Sequence, residues 1–304
     1  MIIGKIKEIW RYPVKSMSGE RLDRCAVGAL GIPGDRGWAL RDEQTGEITN
    51  GKKIPLLMQC SARYREEPSE DRIPQVEITC HDGALTRSDE RDVNDRLSQA
   101  LAKTVSLWAL QPASNKVHYR RASVMSRLSR FKVVRDQLPR MMRLPKMDAQ
   151  VREMFSREPA EPLPDLLSLP PEVLEFTSTL GTYFDAFPIQ VLTTASLDAM
   201  KRINPSAAWD VRRFRPNFLI ETEKSIEGLI EAGWGGRTLR LGNVALKCEI
   251  PTVRCGMTTH KQDDLPKDPS VLRSIVKDAE QNLGVYASVI KAGSAAVGDV
   301  VELL

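Results

Sequence analysis

A single cysteine near the carboxyl end of the chain combines the features of a reactive thiol. Cys255 directly follows Arg254, and it precedes a glycine and the hydroxyls of Thr258 and Thr259. A neighbouring cation favours the thiolate form of a cysteine, and the thiolate is both the nucleophile and the soft metal ligand. The pattern predicts that Cys255 is catalytic or binds a soft metal. A buried structural thiol is the alternative, and it fits Cys248 better.

Three further segments carry side chains that bind anions. The first is Lys15 with Ser16, directly after a predicted strand. The second is Arg36, which is closely flanked by glycines, and the third is Arg215 with Asn217 in an arginine-rich run. Such groups hold phosphate through charge-assisted hydrogen bonds. From the residues alone, a solvated turn explains the first segment more often, and a charged strand edge explains the third equally well.

The composition excludes several classes of site. The 304 residues are 41% apolar, and no run approaches the roughly 20 apolar residues of a membrane span, so we expect a soluble protein. The five cysteines form no C-x-x-C pair, which argues against a disulfide framework, a zinc ribbon and an iron–sulfur cluster held by this chain. The start lacks the long apolar region of a secretory signal, so we expect a cytoplasmic location.

The net charge of +4 hides a local concentration of positive charge. Residues 112–160 contain twelve Lys and Arg against four Asp and Glu. Apolar residues recur every three or four positions over 124–138, which predicts basic amphipathic helices, and prolines between 159 and 171 indicate a linker. We interpret 112–180 as an insertion. Because the charge is regional, a protein that coats nucleic acid is disfavoured.

Segments rich in β-structure surround this insertion and must position the candidate residues. Alternating apolar residues predict strands, glycine and aspartate separate them, and apolar residues at helical spacing predict helices. The predicted strands are 2–10, 38–40, 75–80, 189–192, 218–220, 238–241, 244–250 and 298–304, and the predicted helices are 89–102, 197–203 and 269–281. The fold class is therefore α+β, mainly β, with parts at 1–111, 112–180 and 181–304.

In their order along the chain, these segments resemble the MOSC family, named for the C-terminal domain of molybdenum-cofactor sulfurase. The matching segments are Tyr-Pro-Val-Lys-Ser at 12–16, Gly-Asp-Arg-Gly-Trp at 34–38, Phe-Arg-Pro-Asn at 214–217, Arg-Cys at 254–255 with Thr-Thr at 258–259, and Val-Gly-Asp-Val at 297–300. The resemblance implies a MOSC N-terminal β-rich domain at 1–111 and a MOSC β-barrel domain at 181–304, separated by the helical insertion.

The resemblance also implies a chemistry. Two-domain members are similar to the mitochondrial amidoxime-reducing component and its bacterial counterparts, which bind a molybdenum–pterin cofactor and reduce N-hydroxylated compounds. It implies that Cys255 supplies a thiolate to molybdenum. The implied cofactor-binding residues are Lys15, Ser16, Arg36, Asp185, Arg215, Asn217, Arg254, Thr258 and Thr259. The implied partners are a small N-hydroxylated or N-oxide substrate and a separate electron-transfer protein, with no nucleic acid.

Three other functions stay open at this level. Cys255 would also suit a persulfide, so that the protein would be a non-redox carrier of sulfur or of the molybdenum cofactor. The basic insertion would suit a module that binds nucleic acid or a membrane, or it would cover the site or dock an acidic electron-transfer protein. His260 suggests a Cys–His hydrolase, but an extended chain would hold it more than ~15 Å from Cys255, so a turn would be required.

Overall fold

The computed structural model describes residues 1–121, 145–165 and 175–304, and these are mainly β. The strands are β1 (Ile2–Arg11), β2 (Glu20–Leu22), β3 (Arg24–Val27), β4 (Trp38–Asp42), β5 (Glu47–Ile48), β6 (Ser61–Tyr64), β7 (Val76–Thr79), β8 (Leu85–Arg87), β9 (Val105–Ala109), β10 (Ile189–Thr193), β11 (Phe218–Thr222), β12 (Thr238–Leu241), β13 (Val244–Val253), β14 (Asn282–Lys291), β15 (Gly293–Ala296) and β16 (Val300–Leu303). The α-helices are α1 (Val93–Leu101), α2 (Lys116–Tyr119), α3 (Pro145–Phe155), α4 (Thr194–Ile203) and α5 (Pro269–Asp278). Short 3-10 helices cover Pro55–Gln59, Val211–Arg213, Ile230–Gly233 and Gly256–Thr259.

Seven strands close into a barrel. The strand order is β11-β10-β14-β13-β12-β16-β1, and β1 closes the ring by pairing with β11. β10 and β11 run parallel, whereas the other neighbours in the ring are antiparallel. Alternate side chains fill the interior, among them Ile6, Phe218, Leu246 and Val285, each at most 1% exposed. Closure leaves no unpaired edge within the ring.

The first strand of the chain therefore belongs to the same barrel as the last. β1 pairs with β11 through Ile6 and Ile220 and with β16 through Lys5 and Val300. The loops that follow β1 consequently start at the rim of a barrel made mostly by residues beyond 181. The division of the chain at 111 and 180 stays a prediction, whereas the α+β, mainly β class is confirmed.

A second core lies beneath the three-stranded sheets β5-β4-β9 and β6-β7-β8. α1 packs Leu97 and Leu101 into this core. The predicted helix start at 89 was too early, because residues 87–93 form consecutive turns and α1 begins at Val93 without a side-chain cap.

Two helices cover the outside of the barrel. α4 and α5 pack Met200 and Ile275 onto Leu192 and Leu219 of the parallel strands. Because the barrel interior lies on the other face, every residue of β10 is buried, as expected for a strand covered on both faces. α4 begins with a side-chain cap, since the Thr193 side chain accepts a hydrogen bond from the backbone of Ser196.

The insertion is described only in part. α3 and the turn after it reach the barrel, whereas the helices predicted at 124–138 lie outside the described residues. Within the described ranges, no helix is long and apolar enough to cross a bilayer.

Candidate functional site

Cys255 lies at the point where the long strand β13 leaves the barrel. It is the N-cap residue of the 3-10 helix Gly256–Thr259. Its carbonyl accepts hydrogen bonds from Thr258, at 3.1 Å from the backbone nitrogen and 3.0 Å from Oγ1. The Cys255 side chain is half-buried, whereas the other four cysteines are buried. The tight turn therefore leaves one accessible thiol at the end of a strand.

This thiol lines a cleft to which both halves of the chain contribute. Nine of the ten residues predicted from the sequence line the cleft, and the exception is Thr259, whose hydroxyl donates to the Gly256 carbonyl at 2.8 Å. The full lining is Lys15, Ser16, Arg36, Tyr183, Phe184, Asp185, Phe187, Gln190, Arg213, Phe214, Arg215, Asn217, Val253, Arg254, Cys255, Met257, Thr258 and Tyr286.

The cleft is strongly cationic. Its described lining contains five Lys and Arg side chains and a single carboxylate, that of Asp185. A concave surface with low-dielectric walls and one sign of charge concentrates the opposite charge. The electrostatics therefore favour an anionic ligand beside the Cys255 thiol.

Two arginines of the cleft lining share one aromatic ring. The guanidinium carbons of Arg36 and Arg215 lie 4.6 Å and 4.2 Å from the centroid of the Tyr12 ring. Burial, and then the charge of Arg36, lowers the pKa of Arg215 to about 10. A bound anion would favour both charged groups.

Arg215 also carries a donor without an acceptor. Its Nη1 donates to the Met17 carbonyl at 2.6 Å, but its Nη2 is buried and has no hydrogen-bond partner among the described residues. Leaving such a donor unpaired costs about 1–3 kcal/mol or more for a charged group. An anion in the cleft would supply the missing acceptor.

The backbone at three of these residues is in a rarely occupied conformation. Ser16, Arg36 and Arg215 have φ angles of +68°, +51° and +53°. Non-glycine residues adopt this left-handed region at a cost, and such residues cluster at ligand sites. In this cleft, the fold therefore holds three side chains at a cost in backbone strain.

Lys15 and Asp185 form an ion pair across the cleft. Lys15 Nζ donates to Asp185 Oδ1 and to the Tyr183 carbonyl, both at 2.6 Å. Burial lowers the pKa of Lys15. Loss of solvent raises the pKa of Asp185, but the charge and hydrogen bond of Lys15, together with the charges of Lys52 and Arg36, outweigh it, so this pKa lies below its ordinary value. The Asp185 side chain is 70% exposed.

Two of the residues predicted to bind a cofactor already use their polar groups in hydrogen bonds within the protein. The Arg254 guanidinium donates to the carbonyls of Leu283 at 2.8 Å and Phe214 at 2.9 Å. Asn217 accepts from the Gln190 backbone and donates to Asp35 at 2.9 Å. Their geometry suits positioning of the cleft more than direct contact with a ligand.

The arginine-rich run divides into three roles. Arg212 pairs at the surface with Asp210 and Asp264. Arg213 is buried and donates to backbone carbonyls, including that of Pro266 at 2.7 Å. Within this run, only Arg215 has a buried donor without a partner. Sequence spacing alone does not separate these roles.

Several lining residues were not predicted. Gln190 had a detectable signal, because it is a polar residue within an otherwise apolar, fully buried strand. Phe187 and Tyr286, whose ring centroids lie 5.6 Å apart, form an aromatic side of the cleft. They carried no local signal, since isolated aromatic residues usually belong to a core.

Two family models together match most of the chain. The family model of the MOSC domain matches residues 181–302, and that of the MOSC N-terminal beta barrel domain matches residues 3–115. The mitochondrial amidoxime reducing component 2 of Bos taurus is 25% identical over 98% of this chain and 82% of its own length. The mitochondrial amidoxime-reducing component 1 of Mus musculus is 25% identical over 99% and 83%. The solved YUAD protein of Bacillus subtilis is 11% identical, with a TM-score of 0.41 over 99% of this chain and 94% of that one.

Proposed function

Because the chain belongs to the MOSC-domain family, we propose that it binds a molybdenum–pterin cofactor beside Cys255 and catalyses a reduction. The proposed substrates are N-hydroxylated or N-oxide compounds, and the electrons come from a separate protein in the cytoplasm. The observation that carries the proposal is one cleft that joins a half-buried thiol with the unpaired, buried Nη2 of Arg215. The amidoxime-reducing relatives support the substrate class.

The residues fit such a group because they offer a soft ligand and anion donors in the same place. In the proposal, Cys255 holds the metal, since molybdenum in this setting favours sulfur. Lys15, Ser16, Arg36 and Arg215 hold the phosphate end through charge-assisted hydrogen bonds. When bound, the cofactor supplies the two-electron chemistry, and the protein orients it.

The remaining predicted residues support this arrangement. We assign Arg254 and Asn217 to positioning, because their donors are bonded within the protein. Thr258 holds the carbonyl of Cys255, and Thr259 closes the same turn. Asp185 balances the charge of buried Lys15, which keeps that ammonium directed into the cleft.

The proposed reaction takes its two electrons from the separate electron donor. Two electrons and two protons convert an N-hydroxy compound into the corresponding N–H compound and water, and the electron donor is oxidised by two electrons. The Phe187–Tyr286 side of the cleft offers an apolar surface to a substrate that approaches the thiol.

Elemental analysis tests the proposal. Protein produced in a host that makes the cofactor should contain about one molybdenum per chain, as a single thiolate site requires. Cys255→Ala should lose the metal and the reductase activity, whereas Cys25→Ala, in the buried core, should keep both. Retained activity in Cys255→Ala would contradict the proposal. Metal-free protein with a mass increase of about 32 Da on Cys255, one sulfur atom, would favour the carrier function instead.

A further inference from the structure

A segment that belongs to neither matched domain packs directly against the site cysteine. We call residues 145–165, which comprise α3 and the turn after it, the strap. Val151 and Phe155 of the strap are buried and form a small apolar cluster with Val253 and Cys255. The strap therefore covers one side of the thiol.

One strap side chain reaches the backbone that carries this thiol. Arg157 is only 6% exposed. Its Nη2 donates to the Arg254 carbonyl at 2.8 Å, its Nη1 to the Phe155 carbonyl at 2.9 Å, and its Nε to Gln281 Oε1 at 3.1 Å. The Arg254 carbonyl belongs to the peptide bond that leads into Cys255.

Arg254 is thus held through both of its peptide groups. From the barrel, its backbone N–H, which belongs to the peptide before Arg254, donates to the Gln281 carbonyl at 2.9 Å. From the strap, Arg157 bonds the carbonyl of the same residue. A hydrogen bond from a charged donor is stronger than a neutral one, so the strap contact restricts rotation of the peptide before the cysteine.

A glycine allows the close approach. A Cβ atom on Gly256 would collide with the side chain of Ser156, which directly precedes Arg157. Ser156 itself turns the chain with a φ of +55°. Two consecutive strap residues, Ser156 and Arg157, therefore pack closely against the turn that contains Cys255.

The strap has its own attachments, which do not involve Arg157. Arg273 of α5 donates to the Ser156 carbonyl at 2.6 Å and pairs with Glu161 at 2.6 Å. Lys52 donates to the Met154 carbonyl at 3.0 Å. Because these contacts join the strap to both halves of the chain, loss of the Arg157 side chain leaves it anchored.

We propose that Arg157 is a positioning residue for Cys255: its bond to the Arg254 carbonyl fixes the peptide that carries the thiol, and the strap limits access to it. The catalytic meaning of this role rests on the proposed function. The physical contact does not, because it joins groups of this chain alone.

The test measures thiol access in metal-free protein. Iodoacetamide modification of Cys255, followed by mass spectrometry at a fixed pH, should be about tenfold faster or more in Arg157→Ala, since a buried bond from a charged donor is lost. Arg157→Lys should restore part of the protection, because an ammonium retains one donor. Amide hydrogen exchange over 256–259 should quicken in the same order.

Arg152→Ala is the matched control. Arg152 bonds Asp148 and the carbonyls of Glu158 and Glu161, so its loss loosens the strap internally without touching Arg254. In Arg152→Ala, we expect the rate of Cys255 modification to stay within about twofold of the rate in the parent protein, because the change is local and lies away from the thiol. Equal rates in Arg152→Ala and Arg157→Ala would overturn the proposal.

A second variant tests the proposal even if Arg157→Ala does not fold. Gly256→Ala keeps Arg157 but forces the strap from the cysteine turn, so it should also speed modification about tenfold or more. An unchanged rate would overturn the proposal.

If the parent protein binds no molybdenum but the rates change as expected, the proposed function fails and the role of Arg157 stands. If molybdenum binds and the rates do not change, only the role of Arg157 fails.

Discussion

Asn217 Nδ2 donates a hydrogen bond of 2.9 Å to Asp35 Oδ2, across 182 residues of sequence. Asp35 in turn accepts from the guanidinium of Arg36 and from the Tyr12 backbone. A residue beside the barrel strand β11 thereby orients an arginine of the first half of the chain. The two halves of the cleft are coupled by this bond, which explains why a residue predicted to bind a ligand is instead committed within the fold.

We expect Asn217→Asp to destabilise the protein by about 3 kcal/mol or more, because it places a second carboxylate against Asp35 in a buried site. Asn243→Asp is the control: Asn243 is exposed, and its Oδ1 accepts from Ser294 at 2.7 Å, a bond that aspartate retains. Urea unfolding measures both. Similar midpoints for the two variants would contradict the structural role of Asn217.

Anion binding should depend on Arg215. Inorganic phosphate should raise the thermal midpoint of the metal-free parent protein, because the anion satisfies the buried Nη2 and offsets the charge of Arg36. In Arg215→Met, at least half of this shift should be lost. Arg240→Met, which removes a surface partner of Glu302, should respond like the parent. An undiminished shift in Arg215→Met would exclude Arg215 as an anion ligand.

Half of the sixteen strands in the described residues were predictable, because these strands carry local signals. The alternation in β1 and the turn of Gly242, with a φ of +58°, place their elements correctly. Local signals do not show which strands pair with one another, however. Nothing in the sequence of β1 shows that it pairs with β11 and β16, since strand pairing depends on complementarity over long separations.

The sequence grouped most of the residues that line the cleft with Cys255, but it did not predict the individual contacts of these residues. The residue types identified Arg215 and Arg254 equally well, yet Arg254 bonds backbone carbonyls and Arg215 keeps a free donor. Which carbonyls come within reach is decided by the packed barrel. Arg157 was not recognised because it is one of many basic residues in the insertion, and its burial follows only from the docking of the strap.

The pair of Lys15 and Asp185 predicts a specific pH dependence. The folded pKa of Asp185 is lowered, so its contribution to stability is present above its unfolded value of about 3.9 and is lost as the pH falls through the folded value. Asp185→Asn should therefore cost about 1 kcal/mol at pH 7, a small value because the carboxylate is mostly exposed. The difference from the parent should shrink below about pH 4.

A double-mutant cycle checks that Lys15 is the cause. In a Lys15→Met background, Asp185→Asn should have almost no effect on the free energy of unfolding at pH 7, because the partner charge is gone. A full cost in that background would assign the stabilisation to another group. Chemical unfolding at several pH values provides the measurement.

The position of Cys255 should also depend on a glycine in the neighbouring strand. Gly284 has a φ of +86°, and a Cβ there would lie 2.7 Å from the Val191 carbonyl and 3.3 Å from Arg254 Nη2. Gly236 has a φ of +80° but open space around it. Both alanine variants should carry backbone strain of about 1 kcal/mol, and Gly284→Ala should cost a further 2 kcal/mol or so through the clash. Because Arg254 is displaced in Gly284→Ala, only this variant should also speed modification of Cys255. Equal stability and equal thiol access in the two variants would show that Arg254 does not set the position of the cysteine.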